Sequence, residues 1–525
     1  MMDNRKIVKS AVSMSLVTFI SRVIGLFREW IRGYLMGTSG SSDAFSLAFM
    51  FPNLLRRLVG EGAMLASFVP VFSDYVERGK KEELDDFVQS FFTLLFTALV
   101  VVVLMGVFLS PLLRWFLPAF AKVPGKVELT ISLTRMMFPY ILLISLSALT
   151  QSILNTYKVF VPSAATPILL NLAIIAAGFL LGFRLRDPAV ALAIGVLLGG
   201  VLQFFFPIPY MSRLGVRFRF VFHITNPGVR RVFLLMLPAT VGAGVYQINV
   251  LVQEFIAAML EEGSVAALRF SNTLVEVVLG IFIISISTVI LPALSEKASR
   301  GDREGMKASL AFALRLVFLV TLPATFGLMA LGAPIVRMLF RYGAFGEQST
   351  GMVAYALAFQ SLGLCGVGGT RVIVQMFFSM KDTRTPVYVA AASMAVNLGL
   401  CYLLRFPLRL GGVALAGSIA SYVNFFLLLA ILGKRVGRVV DRELAVSVLK
   451  GIAASALMAG PLFYAVHALG ARMEASRLAN AAITLLLLCG GLVLFFVFSV
   501  LLKNGDLLTV KKMLVKKIAG RARGE

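Results

Sequence analysis

The sequence predicts an all-α polytopic membrane protein of about fourteen membrane-spanning helices: two pseudo-symmetric six-helix lobes and two extra C-terminal helices. Three observations predict it. The 525 residues are 59% hydrophobic and only 14% charged, where soluble domains are about 45–50% apolar and 25% charged; mean hydropathy is +0.89. The apolar residues gather in runs of membrane-crossing length, which is about 20 residues for a helix. The chain also resembles itself at an offset of about 220 residues.

In chain order the expected spans are 10–35, 44–73, 88–117, 132–157, 164–183, 189–211 and 231–260, then 265–294, 308–338, 350–380, 386–405, 411–433, 444–468 and 479–502. The basic N-terminus MMDNRKIVKS leads into a run that continues through Arg22 and Arg28 without a small-residue cleavage site. It is therefore expected to be a retained first span and not a signal peptide. Pro52, Pro139, Pro238 and Pro323 fall inside spans, which membrane helices tolerate where neighbours satisfy the freed backbone groups.

Loop charge sets the expected orientation. With both termini in the cytoplasm, the inside loops and tail carry about 30 Lys and Arg and the outside loops about 10. Cytoplasmic loops are the basic ones. The same asymmetry accounts for the net charge of +24; no polar domain is large enough to bind nucleic acid alone.

The repeat gives the domains. QSILNTYKVFVP (151–162) matches QMFFSMKDTRTP (375–386), and VALAIGVLLGGVLQFF (190–205) matches VALAGSIASYVNFF (413–426). FPNLLRRLVGEGAM parallels FSNTLVEVVLGIFI. Six spans per copy give both copies the same orientation, a plan common in transporters. The expected divisions are 1–220 (spans 1–6), 221–437 (spans 7–12), 438–502 (spans 13 and 14) and a basic tail, 503–525. The tail is roughly amphipathic and is expected to lie against anionic lipid.

Charges inside spans cost at least about 2.5–3.5 kcal/mol each on insertion scales and normally face a water-filled cavity. Here they collect in the first half: Arg22, Arg28 and Glu29 in the first span, Asp43, Arg56, Arg57 and Glu61 in the second. Helical spacing lets Asn53 meet Arg56 and Arg57 meet Glu61. Pairing that only fixes helix packing accounts for Arg57 and Glu61, but Arg22, Arg28, Arg56 and Arg57 outnumber Glu29 and Glu61. The surplus points to a cavity for an anion, and arginine suits a phosphate or carboxylate held bidentately. The second half carries Arg269, Asn272 and Glu276 in the eighth span, Glu254 in the seventh and Arg371 in the tenth.

Other chemistries lack their residues. Cys365, Cys401 and Cys489 sit in apolar segments without metal-ligand spacing. The two histidines, His223 and His467, have no nearby catalytic partner. A membrane enzyme acting on lipid-linked sugars would need an acid, base or metal set at one face, and no such cluster is visible.

SRVIGLFRE (21–29), SDAF (42–45), FPNLLRRLVGEGA (51–63), FVP (68–70), NPGVRR with MLPA (226–239) and ILPALS (290–295) together resemble the MurJ (MviN) lipid II flippases, over essentially the whole chain. These belong to the multidrug/oligosaccharidyl-lipid/polysaccharide exporter superfamily. The resemblance implies movement of lipid II, a disaccharide-pentapeptide on a polyprenyl pyrophosphate, from the inner to the outer leaflet of the bacterial cytoplasmic membrane by alternating access. It implies substrate binding by Ser21, Arg22, Arg28, Asn53, Arg56 and Arg269, and charge pairing or gating by Glu29, Asp43, Arg57, Glu61 and Glu276. Spans 13 and 14 would hold the lipid tail. The family's eighth-span arginine falls at Thr273 here; Arg269, one turn earlier on the same face, is expected to substitute. Some members bind sodium through acids in the seventh and eleventh spans. The eleventh span here has none, so no metal or cofactor is expected, and transport would draw on the membrane potential or an ion gradient. A monomer is expected. The rival readings are an exporter of drugs or of another lipid-linked oligosaccharide with the same fold. A cationic-drug exporter would be expected to line its cavity with acid, whereas this sequence supplies base.

Overall fold

The computed structural model describes residues 4–58, 64–221 and 226–505. Glu61, His223 and the tail after Gly505 lie outside them. Among the described residues all regular secondary structure is helical, with no strand. α1 is Asn4–Met36, α2 Gly40–Leu55, α3 Met64–Arg78, α4 Lys81–Leu109, α5 Leu113–Phe116, α6 Lys126–Met137, α7 Tyr140–Thr156, α8 Phe160–Leu181, α9 Pro188–Phe205 and α10 Ile208–Arg213. There follow α11 Pro227–Ala258, α12 Ser264–Val278, α13 Ile284–Ser299, α14 Arg303–Phe340, α15 Glu347–Ser361, α16 Leu364–Ser379, α17 Arg384–Val436, α18 Arg442–Ala475 and α19 Arg477–Leu501.

Eight helices among the described residues are long and apolar enough to cross a membrane, and α15 with α16 forms a further pair bent by 45°. α17 covers two expected spans, 386–405 and 411–433, broken at Arg409 (φ 46°, ψ −124°). The chain doubles back there: a Cβ on Gly412 would lie 2.1 Å from the Leu404 carbonyl oxygen. The remaining expected spans fall on α1, on α2 with α3, on α11, and on α12 with α13. Exposed apolar side chains such as Phe108, Trp115, Leu478, Leu486 and Leu492 are what a multi-pass membrane protein presents to lipid.

The chain forms two compact units. One comprises Met1–Ala266 with Tyr342–Gly346, the other Ala267–Arg341 with Glu347–Glu525. In the first, Phe68, Phe72, Phe87 and Phe91 from α3 and α4 pack with Leu149 and Ile153 of α7 and Val232 of α11. A second core joins Phe45 of α2, Met137 of α6, Leu170 and Ile174 of α8, and Leu192 and Val196 of α9. α8 and α9 touch almost backbone to backbone. A Cβ on Gly195 would lie 2.7 Å from Ile174 Cα. Gly195 and Gly199 are the small residues, four apart, that allow such membrane-helix approaches. In the second unit α14 packs on α16 and α18, and α16 on α17.

Asn226 fixes the start of α11. Its Oδ1 accepts from the Gly228 N–H at 2.9 Å and from the Tyr75 hydroxyl at 3.3 Å, while its Nδ2 donates to Asp86 at 2.6 Å. Pro227 occupies the first helical position, where its missing N–H costs nothing.

The repeated segments share backbone features. α7 ends with Lys158 at φ 63° and α16 with Lys381 at φ 61°. In each, the next N–H reaches back five residues, Val159 to Leu154 and Asp382 to Phe377, both at 2.9 Å. This is the Schellman closure, usually built on glycine. The paired segments FPNLLRRLVGEGAM and FSNTLVEVVLGIFI each depart from a continuous α-helix: residues 56–58 and Leu279–Ile283 wind as π turns. Such π turns are frequent at functional sites.

Candidate functional site

In the first unit α1 and α8 pack along their length. Glu29 sits between two cations. Its Oε1 accepts from Arg28 Nε at 3.2 Å and Nη2 at 2.6 Å, and its Oε2 lies 3.1 Å from Arg32 Nη1. Glu29 and Arg32 are buried, at 7% and 5% exposure, and the Arg28 side chain keeps 27%. The set counts two guanidiniums to one carboxylate, with Arg28 its accessible end. Arg28 Nη1 also donates to Asn171 Oδ1 of α8 at 3.0 Å, and Asn171 Nδ2 donates to the Ser21 carbonyl at 3.4 Å. Arg22, one residue on from Ser21, is exposed.

On α2, Asn53 Oδ1 accepts from Arg56 Nε at 3.2 Å and Nη2 at 3.0 Å. The expected span 44–73 is not one continuous α-helix: α2 ends at Leu55, and Arg56 and Arg57 occupy the π turn. Arg57 is half-buried; its expected partner Glu61 lies outside the described residues.

Asp43 is 1% exposed, in the first turn of α2. Its carboxylate accepts from Lys126 Nζ, from the Gly263 N–H and from the Ala266 N–H, each at 2.8 Å. It therefore caps the first turn of α12 from a distant part of the chain. Glu262 returns the favour, accepting from the Gly40 N–H at the start of α2 at 2.5 Å. Carboxylates at helix N-termini satisfy orphan N–H groups and complement the helix dipole. Lys126 Nζ also lies 3.8 Å from the Phe120 ring centre.

In the second unit Arg269 and Glu276 lie on α12, both half-buried. The Thr273 hydroxyl donates to the Arg269 carbonyl at 3.0 Å, so it is occupied within its own helix.

The structure thus brings together Ser21, Arg28 and Glu29, separately Asn53 and Arg56, and separately Asp43 with the α12 N-terminus. Three partners were not singled out from the sequence. Arg32 follows Glu29 at helical spacing and is visible in that pattern. Asn171 is a lone amide in the apolar run PILLNLAII, a signal that polar residues inside spans carry. Lys126 gave no signal, because it stands in what reads as an outside loop.

Among the described residues no group of His, Cys, Asp and Glu could hold a metal ion.

Known proteins supply the remaining context. The family described as Lipid II flippase MurJ matches residues 33–482. The chain is 36% identical over 434 residues to a protein of Treponema pallidum named "Probable lipid II flippase MurJ", covering 81% of each. It is 36% identical over 433 residues to one of Vibrio cholerae with the same name, covering 81% of this chain and 82% of that one. Among solved structures, it superposes on one titled "Lipid II flippase MurJ, inward closed conformation" with TM-score 0.78 at 27% identity, covering 94% of this chain and 99% of that one. An inward-facing MATE family multidrug transporter of the MOP superfamily shares the fold at TM-score 0.64 and 16% identity, covering 80% of this chain and 98% of that one. By sequence and by fold, this chain belongs to the MurJ lipid II flippase family.

Proposed function

We propose that this protein moves lipid II across the bacterial inner membrane, its pyrophosphate received by a cationic cavity lined from α1 and α2. The observation that carries the reading is the Arg28, Glu29, Arg32 set. On α1 it holds one carboxylate against two guanidiniums and leaves Arg28 as the accessible one. A pyrophosphate is an anion of the kind such a site would take, and pairs of its oxygens suit the guanidinium fork. Arg22, Arg56 and the hydroxyl of Ser21 would add contacts, with Asn53 orienting Arg56. Arg269 of the second unit is proposed as a further anion-binding cation, and Glu276 as a gating carboxylate.

The Asp43 cluster has the form of a clasp. It consists of short hydrogen bonds between helix N-termini and carboxylates, which break and re-form without rebuilding either helix. Opening and closing it would give alternating access, driven by the membrane potential, worth about 2.3 kcal/mol per charge per 100 mV, or by an ion gradient. Both termini would lie in the cytoplasm, the tail against anionic lipid, the α18 and α19 surface against the polyprenyl chain, and the protein would act as a monomer.

Complementation tests this. A bacterium depleted of its own lipid II flippase should resume growth and normal shape when supplied with this protein, and should not when supplied with Arg28→Ala at equal membrane abundance. Growth rescue by both would remove Arg28 from the mechanism.

A further inference from the structure

We propose that Asn171 is a positioning residue that presents the terminal nitrogens of Arg28 to the substrate's pyrophosphate; this rests on the pyrophosphate reading above. Asn171 is 6% exposed, in a helix whose neighbouring residues are apolar. A primary amide there costs free energy unless its groups are hydrogen-bonded, and packing alone would be served better by leucine. Its two ends are used on one helix: Oδ1 receives Arg28 Nη1 at 3.0 Å, and Nδ2 reaches the Ser21 carbonyl at 3.4 Å. Ser21, Gly25 and Arg28 are spaced by four and three residues, so they share a face of α1. Asn171 lies against this face: a Cβ on Gly25 would be 3.5 Å from Asn171 Nδ2, an ordinary van der Waals contact.

The donor count gives the consequence. A guanidinium has five N–H donors. Glu29 Oε1 takes the Nε donor and one from Nη2, and Asn171 takes one from Nη1. Among the described residues one donor is left on each terminal nitrogen, available to phosphate oxygens. With Glu29 alone, Arg28 is held along one edge and turns about it. Asn171 fixes the opposite end, so less freedom is lost on binding. Asn171 touches no substrate in this arrangement and acts through Arg28.

The test is a double-mutant cycle on the purified full-length protein in detergent, with undecaprenyl pyrophosphate as the probe. Asn171→Ala should weaken binding roughly 3- to 10-fold, the worth of one hydrogen bond, and should change it less than about 2-fold when Arg28 is already Ala. Equal weakening in both backgrounds would mean that Asn171 only supports packing and would overturn the proposal, as would no weakening in either. If Arg28→Ala itself leaves affinity unchanged, the pyrophosphate reading of Arg28 fails and the positioning role falls with it. Should Asn171→Ala fail to accumulate, Asn171→Leu fills the same volume without the amide and replaces it in the cycle, with the same outcomes expected.

Discussion

Lys126 donates to Asp43 at 2.8 Å across 83 positions of sequence, with both side chains at most 4% exposed. Removing one partner strands the other's charge in a site that water does not reach, which typically costs about 3–5 kcal/mol. Asp43→Ala should therefore lower stability by about that amount, and more than Lys126→Met does, because it also uncaps the Gly263 and Ala266 N–H groups. Thermal unfolding in detergent measures both. A loss within about 0.5 kcal/mol, the range of ordinary surface substitutions, would show that the cluster does not hold the fold.

Asp382, in the turn between α16 and α17, provides a pH test. Partial burial alone would raise its pKa, but the Thr385 hydroxyl and N–H and the Arg435 guanidinium outweigh burial and hold it at about 2. A carboxylate depressed in the folded state stabilises fully above its unfolded value near 3.8 and loses that contribution as pH falls toward 2. Asp382→Asn should thus melt lower than the parent at pH 6, with the gap closing between about pH 4 and pH 2. A gap that stays constant across that range would place the effect elsewhere.

Gly195→Ala sets two effects against each other. Alanine favours helix by roughly 0.5–1 kcal/mol, but its Cβ would stand 2.7 Å from Ile174 Cα. Backbone cannot swing aside like a side chain, so overpacking should win, with a net loss of about 1–3 kcal/mol. The melting temperature reports the sign.

Lys158→Gly should move the other way. Lys158 is exposed at φ 63°, where an L side chain costs roughly 1–2 kcal/mol and glycine does not. Glycine's extra freedom in the unfolded chain takes back part of that, leaving a gain of about 1 kcal/mol in thermal unfolding. A destabilised variant would mean that the lysine side chain contributes more than its backbone strain costs.

The helical, multi-pass architecture was legible because apolar runs of membrane length and their spacing are local properties. Residues such as Phe108 and Leu486 advertise lipid contact one segment at a time. Arg28, Glu29 and Arg56 were legible because charge inside an apolar run is costly and so conspicuous. The π turn at residues 56–58 was not legible, since a proline such as Pro52 inside an apolar run permits a break without dictating where it falls or how it winds. The partners of Asp43 were not legible: Lys126 and Gly263 reach Asp43 only through the tertiary fold, and nothing local to either residue announces it. Asn171 lay between these cases, a visible amide whose partner on α1 required the packing of α1 against α8.

The most direct test of the central claim uses cells depleted of their own lipid II flippase and supplied with this protein. The quantity to measure is the lipid II that becomes accessible to a probe added outside. Restored exposure that is lost with Arg56→Ala, at equal membrane abundance, is the predicted result. Exposure that Arg56→Ala leaves intact, or none from the stably inserted parent protein, would contradict it.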